Sequence, residues 1–340
     1  MLRVAAFTGG RDNPSSRFRV RQYVSPLVDH GIILHELTAL LYSSPPATKW
    51  IRPLWGGAAL ACSVPQIAIS WTHDVCLLQR ELVNTFLTLE PFTKKPRILD
   101  VDDAIFVYRK GTAARKLAQL SDSVVCGNSY LAEWFGKWNS NTTIVPTAVD
   151  TQKYTPHPDP DRGANGDEGP VIGWIGVSAN YRYLVSIERA LARVLDLFPK
   201  ARLRIVGDAP PTFKVPSSRV DWVRWTERAE VAEIQSMDIG IMPLDDTIWT
   251  RGKCSYKMLQ YMACGLPVVV SPVGMNAEVL ALGECGLGAS TDSQWVESLV
   301  ALLEDRTLRR KLGAVGRRIV ESNFSIEAVT PKLARCLLAS

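Results

Sequence analysis

The sequence predicts an α/β protein built as two doubly wound units with parallel sheets. Short apolar runs alternate with helical patterns from end to end, as stacked strand and helix layers require. A chain of 340 residues is long enough to divide its hydrophobic core between two domains. The alternation is interrupted at 149–169 by Pro, Asp and Gly, then restarts. The expected units are therefore 1–148 and 170–321, joined by a linker at 149–169, of which 162–169 reads as mobile. A terminal helix, about 322–340, is expected to return to the first unit. A cleft between two such units is the default ligand site.

In the first unit, apolar runs mark strands at 4–8, 32–37, 74–79, 97–101, 123–126 and 143–146. Gly9 and Gly10 close the first strand and could admit a ligand closely. The pattern Phe18, Tyr23, Leu27, Val28 predicts a helix over 17–30, ended by Gly31. A helical stretch follows from about Ala47 to Val64. Its leading segment, with Trp50, Arg52 and Trp55, fits a membrane interface, although a core-facing helix that carries Trp is the simpler expectation. Asn128 caps a helix running through Trp138. In the second unit, strands are expected at 171–175, 202–206, 220–223, 239–242 and 268–270. Helices are expected at about 181–198, 227–236, 295–303, 307–320 and 326–338.

The net charge of +5 permits anionic ligands or an anionic membrane surface without requiring either. Basic residues are scattered rather than blocked, which argues against nucleic acid. Seven cysteines, with no Cys-x-x-Cys, fit buried thiols in a reduced, cytoplasmic setting. Residues 1–7 are too short for a signal segment and read as a first strand.

The stretch 251–274 carries the densest signal. Its spacing predicts that Lys253, Lys257 and Gln260 share one helix face. Gly265 then ends the helix, and Pro267 opens a buried Val run. This sets cations beside the end of a parallel strand, where open α/β sheets bind ligands. Two further loops would converge there. One runs from Gly176 through Ser178 and Asn180, both candidate N-caps, to Arg182. A cation in the first turn of a helix opposes its dipole, so Arg182 points to an anionic partner such as a phosphate. The other loop is Gly274, Met275 and Asn276. In the first unit, Asp100, Asp102 and Asp103 end a strand, and three such carboxylates repel one another unless solvated or bonded. Asp102 or Asp103 could serve as a base or accept from a sugar hydroxyl. No His, Asp or Glu cluster completes a metal site.

These residues resemble family 4 retaining glycosyltransferases, which have the GT-B fold. The resemblance lies in Asp238-Ile-Gly-Ile-Met-Pro-Leu, Lys257-Met-Leu-Gln-Tyr-Met-Ala-Cys-Gly-Leu-Pro-Val-Val and Ser271-Pro-Val-Gly-Met-Asn, supported by Gly173-Trp-Ile-Gly-Val-Ser and Gly127-Asn-Ser-Tyr-Leu-Ala. It implies transfer of a sugar from a nucleotide diphosphate sugar to a glycan, lipid-linked or other acceptor, with retention and without a metal or further cofactor. It implies a donor site on the second unit, an acceptor site on the first, and a protein at the inner face of the membrane or free in the cytoplasm. Arg182 falls where the family has a lysine that holds the diphosphate, and Lys257 matches a family lysine. Two family glutamates fall on Gly252 and Gln260, and Gln260 keeps an amide that can hydrogen-bond ribose hydroxyls. Those losses leave two alternatives open: a non-catalytic protein of this fold that binds a nucleotide or glycan, and a sugar-nucleotide epimerase.

Overall fold

The structure, a computed structural model, describes residues 1–10, 13–39, 41, 45–46, 48–159 and 169–339. Residues 162–168 of the expected mobile linker, and Ala47, lie outside the described residues. The chain forms two compact units. One comprises Met1–Ala148, Arg251–Cys254 and Ile326–Ser340; the other comprises Val149–Thr250 and Ser255–Ser325.

The first unit holds β1 (Leu2–Thr8), β2 (Ile32–Thr38), β3 (Val75–Gln79), β4 (Arg97–Val101), β5 (Ser123–Cys126) and β6 (Thr142–Ile144). They pair in parallel in the order β2-β1-β3-β4-β5-β6. Every residue of β3, β4 and β5 is buried, as expected for strands covered on both faces. Val4, Leu77 and Ile98 pack with Val329, Leu333 and Leu337 of the helix Ile326–Leu338.

The helix expected over 17–30 is broken. Pro14–Arg19 is followed by two short 3-10 segments, Arg21–Tyr23 and Pro26–His30. Pro26 lacks an N–H and crowds the preceding turn, so it starts a new segment instead of continuing the old one. Gly31 ends that segment at φ 75°, the left-handed conformation expected of it. The next helix is shifted from its expected position, running over Arg52–Ser70 instead of ending near Val64.

The second unit holds β7 (Val171–Ile175), β8 (Arg202–Gly207), β9 (Val220–Arg224), β10 (Ile239–Met242), β11 (Val268–Val270) and β12 (Gly286–Gly288). The parallel order is β12-β11-β10-β7-β8-β9, so the winding reverses between β7 and β10. In open α/β sheets this reversal opens a crevice at the C-terminal strand ends. β12 was not expected, because Gly286-Leu-Gly288 has no apolar run and lies at the sheet edge. The helix expected over 181–198 divides into Tyr181–Ser186 and Glu188–Leu197 at Ile187, whose φ of −112° and ψ of 13° leave the helical region.

Candidate functional site

The reversal between β7 and β10 puts Gly176 at the mouth of the crevice. The helix Tyr256–Ala263 is fixed against this point, because Tyr261 Oη accepts from the Ile175 backbone N–H at 2.9 Å. The helix approaches β10 closely: a Cβ on Gly240 would lie 2.3 Å from the Tyr261 ring. It closes with paired bonds from Gly265 N to Met262 O at 2.9 Å and from Leu266 N to Tyr261 O at 3.0 Å, a Schellman arrangement with Gly265 at φ 73°. Lys257, in the first turn of this helix, runs across the end of β7. Its Cε would lie 2.6 Å from a Cβ on Gly176, and its Nζ is 5.4 Å from the centre of the buried Trp174 ring. A Cβ on Gly176 would also lie 2.6 Å from the Trp174 ring, so glycine there leaves room for both side chains. Arg182, in the first turn of the helix Tyr181–Ser186, is exposed; its Nη2 donates to Tyr183 Oη at 2.7 Å.

Several expected roles change. Lys253 does not share a helix face with Lys257 and Gln260. It precedes the helix, separated by Ser255 in a left-handed conformation at φ 51°. Arg251–Cys254 is built into the first unit: Asn128 Nδ2 donates to the carbonyls of Arg251 (3.2 Å) and Lys253 (3.1 Å), and Cys254 Sγ donates to Asp102 O at 3.0 Å. A Cβ on Gly252 would meet Ala104 at 2.7 Å, so no larger residue fits there without a shift. Ser178 and Asn180 make no side-chain cap bond. The Ser178 N–H and hydroxyl instead donate to Asp208 at 2.5 and 3.0 Å. This backbone N–H bond, ahead of the other contributions, holds the Asp208 carboxyl below its usual range, so a carboxylate of the chain itself occupies that anion seat.

Gln260 is not turned toward a ligand. It is buried, and its Nε2 donates to Tyr154 Oη (2.9 Å) and Glu230 Oε1 (3.2 Å). Glu230 also accepts from Tyr154 Oη (2.5 Å) and Trp225 Nε1 (3.2 Å). Asn276 is likewise fully buried, with Nδ2 donating to Ser271 O at 2.9 Å and its backbone N–H bonded to Val273 O at 3.2 Å, while its Oδ1 is buried with no hydrogen-bond partner among the described residues. Gly274 turns this loop at φ 53° and ψ −130°, a conformation glycine accommodates; Met275, next to it, is buried.

In the first unit the carboxylates are bonded, which is how three of them coexist. Asp100 accepts from Arg19 Nε (3.0 Å) and Nη2 (2.5 Å). Asp102 accepts from Arg80 Nε (2.8 Å) and Nη2 (2.5 Å), and Asp103 from the same Nη2 at 2.5 Å. Burial raises the Asp102 carboxyl, but the charges of Arg80 and Arg19 outweigh it and hold it below its usual range. Asp103 is pushed up, by burial first and then by Asp102. Arg80 itself sits at φ 64°, a left-handed conformation unusual for a residue with a side chain. The sequence offered no signal for Arg80, since its partners lie on the next strand's end. Gly10, at φ 131°, has open space on its Cβ side.

Against this geometry, residues 169–305 match the family model described as Glycosyl transferases group 1. With its two Rossmann-like parallel-sheet units, the chain has the GT-B fold. Sucrose-phosphate synthase from Thermosynechococcus elongatus shares that fold at a TM-score of 0.71 and 16% identity, covering 100% of both chains. Anabaena HepE in complex with UDP and glucose does so at a TM-score of 0.73 and 12% identity, again over 100% of both. In sequence, a GDP-mannose-dependent monoacylated alpha-(1-6)-phosphatidylinositol monomannoside mannosyltransferase of Corynebacterium glutamicum is 28% identical over 214 residues, which cover 57% of this chain. The match spans 55% of that curated relative.

Proposed function

We propose that this protein is a GT-B glycosyltransferase that moves a sugar from a nucleotide diphosphate sugar to a glycan or lipid-linked acceptor, with retention of configuration. The observation that carries the reading is Lys257 lying across Gly176 at the reversal between β7 and β10, inside the span matched by the glycosyltransferase model. The relative's name specifies GDP-mannose and a phosphatidylinositol mannoside, and HepE was solved with UDP and glucose. Both support a nucleoside diphosphate sugar as donor, and the first supports a glycolipid as acceptor.

The ammonium of Lys257 would meet the diphosphate oxygens, where negative charge grows as the sugar leaves. Arg182, exposed in the first turn of the helix Tyr181–Ser186, supplies a second cation of the bidentate kind that suits phosphate. The acceptor hydroxyl forms the new glycosidic bond and loses its proton, and the nucleoside diphosphate departs. The reading needs no metal and no cofactor beyond the donor.

Nucleotide release from GDP-mannose or UDP-glucose, with a lipid extract as acceptor source, tests this. Lys257→Ala is expected to weaken nucleotide binding roughly 10-fold and to cut turnover about 100-fold, with the fold retained by circular dichroism. Kinetics equal to wild type would remove Lys257 from the site. A second reading, binding without transfer, is favoured by the absence of a carboxylate at Gly252 and by the inward amide of Gln260. It expects nucleotides to raise the melting temperature while no acceptor provokes release.

A further inference from the structure

The helix Arg52–Ser70 does not behave as a core helix. Of its 19 residues only Ser70 is buried. Trp50 and Leu54 near its start are 78% and 75% exposed, and Trp71 and Phe92 at its far end are 61% and 63% exposed. Isolated exposed apolar side chains are ordinary, but a whole helix of them marks an interaction surface. The helix is nonetheless tied to its unit at one end. Gln66 Nε2 donates to Thr38 O at 2.6 Å, the Lys94 N–H to Ser70 Oγ at 3.1 Å, and Trp71 Nε1 to Phe92 O at 3.0 Å.

Along residues 37–73 every formal charge is basic. No Asp or Glu occurs between Glu36 and Asp74, whereas Lys49 and Arg52 stand at the helix start. Lys94 and Lys95 stand at its end, with Lys94 Nζ 5.7 Å from the centre of the Trp71 ring. Apolar residues interleaved with Trp and rimmed by cations match the boundary between headgroups and acyl chains of an anionic bilayer. Trp rings favour that depth, and Lys and Arg stems can lie along apolar surface while their charges reach the phosphates. A two-fold contact between copies would set the same patch against itself and oppose these like charges. Among the described residues, no helix is long and apolar enough to cross a membrane. The bonds at Gln66 and Ser70 instead tether the C-terminal end of this one to its unit.

We propose that the helix Arg52–Ser70, with Trp50, Trp71 and Phe92, docks the first unit onto an anionic phospholipid surface, lying in the interface without spanning it. The inference does not depend on the proposed transferase activity, because its test contains neither donor nor acceptor.

Co-sedimentation with phosphatidylcholine vesicles, with and without about one-third phosphatidylglycerol, tests it. At low salt the bound fraction is expected to be at least ~10-fold higher with phosphatidylglycerol and to fall as salt rises. Leu54→Glu combined with Trp71→Glu should abolish binding, and Lys94→Glu with Lys95→Glu should remove the preference for the anionic lipid. Circular dichroism should match wild type, and the melting temperature should fall only by what loss of the Trp71–Phe92 bond accounts for. In a second readout, brominated lipids should quench wild-type tryptophan emission, and Trp50→Phe with Trp71→Phe should remove most of that quenching. Failure to sediment with anionic vesicles overturns the proposal, as does wild-type binding by the Leu54→Glu, Trp71→Glu variant. A dimer in light scattering that Leu54→Glu dissolves, without vesicle binding, assigns the surface to a second copy and overturns it as well.

Discussion

Arg80→Ala is expected to lower unfolding free energy by about 3 kcal/mol at neutral pH, because it leaves the buried Asp102 and the half-buried Asp103 without their shared cation. In wild type the Arg80 guanidinium bonds both Asp102 and Asp103, with 19% of its side chain exposed. That partial exposure sets the expected loss at the lower end of what a broken buried pair costs. The pH dependence follows from the Asp102 shift. Its folded-state carboxyl is held below the unfolded value, so its stabilising contribution is full above the unfolded value and is lost as pH falls through the folded one. In the variant the part of that contribution due to Arg80, the largest lowering influence, is gone, while that of Arg19 remains. Protonation near the ordinary carboxylate range, about pH 4, relieves the unpaired charges. The gap between variant and wild type is therefore widest at neutral pH and narrows toward pH 4. Urea denaturation at several pH values measures it, and a gap independent of pH would refute the ion-pair account. Arg80→Gly separates charge from backbone. It loses the same ion pair but relieves the left-handed conformation at φ 64°, so it should be about 1 kcal/mol more stable than Arg80→Ala.

Gln260→Glu would restore the glutamate of related glycosyltransferases, and it is expected to harm this protein. The new carboxylate would stand where Gln260 Nε2 now donates to Glu230 Oε1 at 3.2 Å, with both side chains buried. Two carboxylates at that distance cannot both stay ionised, so one takes a proton. Holding a proton at pH 7 on a group that ordinarily loses it near 4.3 costs about 3–4 kcal/mol. The sign is that of a raised acid: the penalty is absent below the unfolded pKa and grows as pH rises above it. The variant should match wild type near pH 4 and lag most at pH 7. Adding Glu230→Gln should recover most of the loss, because an amide at 230 can donate to the new carboxylate. Denaturation midpoints of the single and double variants decide this; a single variant as stable as wild type at pH 7 would sink it.

Both predictions rest on residues whose partners the sequence did not disclose, and the reason is distance along the chain. Gln260 meets Tyr154 and Glu230, 106 and 30 positions away, and Arg80 meets Asp102 and Asp103 across the ends of adjacent strands. Lys257 beside Gly176 could be inferred as a region, because both lie at the C-terminal ends of parallel strands. Their contact required the helix to be fixed by Tyr261. Lys253 lies off the helix for a local reason: after the left-handed Ser255 the helix starts at Tyr256, three residues beyond Lys253. The helix Arg52–Ser70 shows the limit of hydrophobic patterning, since an apolar helix made for burial and one made for an interface have the same composition.

The sequence by itself determined the layered α/β architecture and most strand positions, because a doubly covered parallel strand needs a short apolar β-branched run and most of these strands have one. It also determined the turns that glycine alone makes easy, as at Gly31 and Gly265. Only the tertiary structure decided which way the polar side chains turned: Gln260 and Asn276 inward, Arg182 outward, and Arg251–Cys254 into the first unit. A strand's identity is set by neighbours within a few residues. A buried polar group's orientation is set by whichever donor or acceptor the fold brings within about 3 Å, and those partners come from anywhere in the chain.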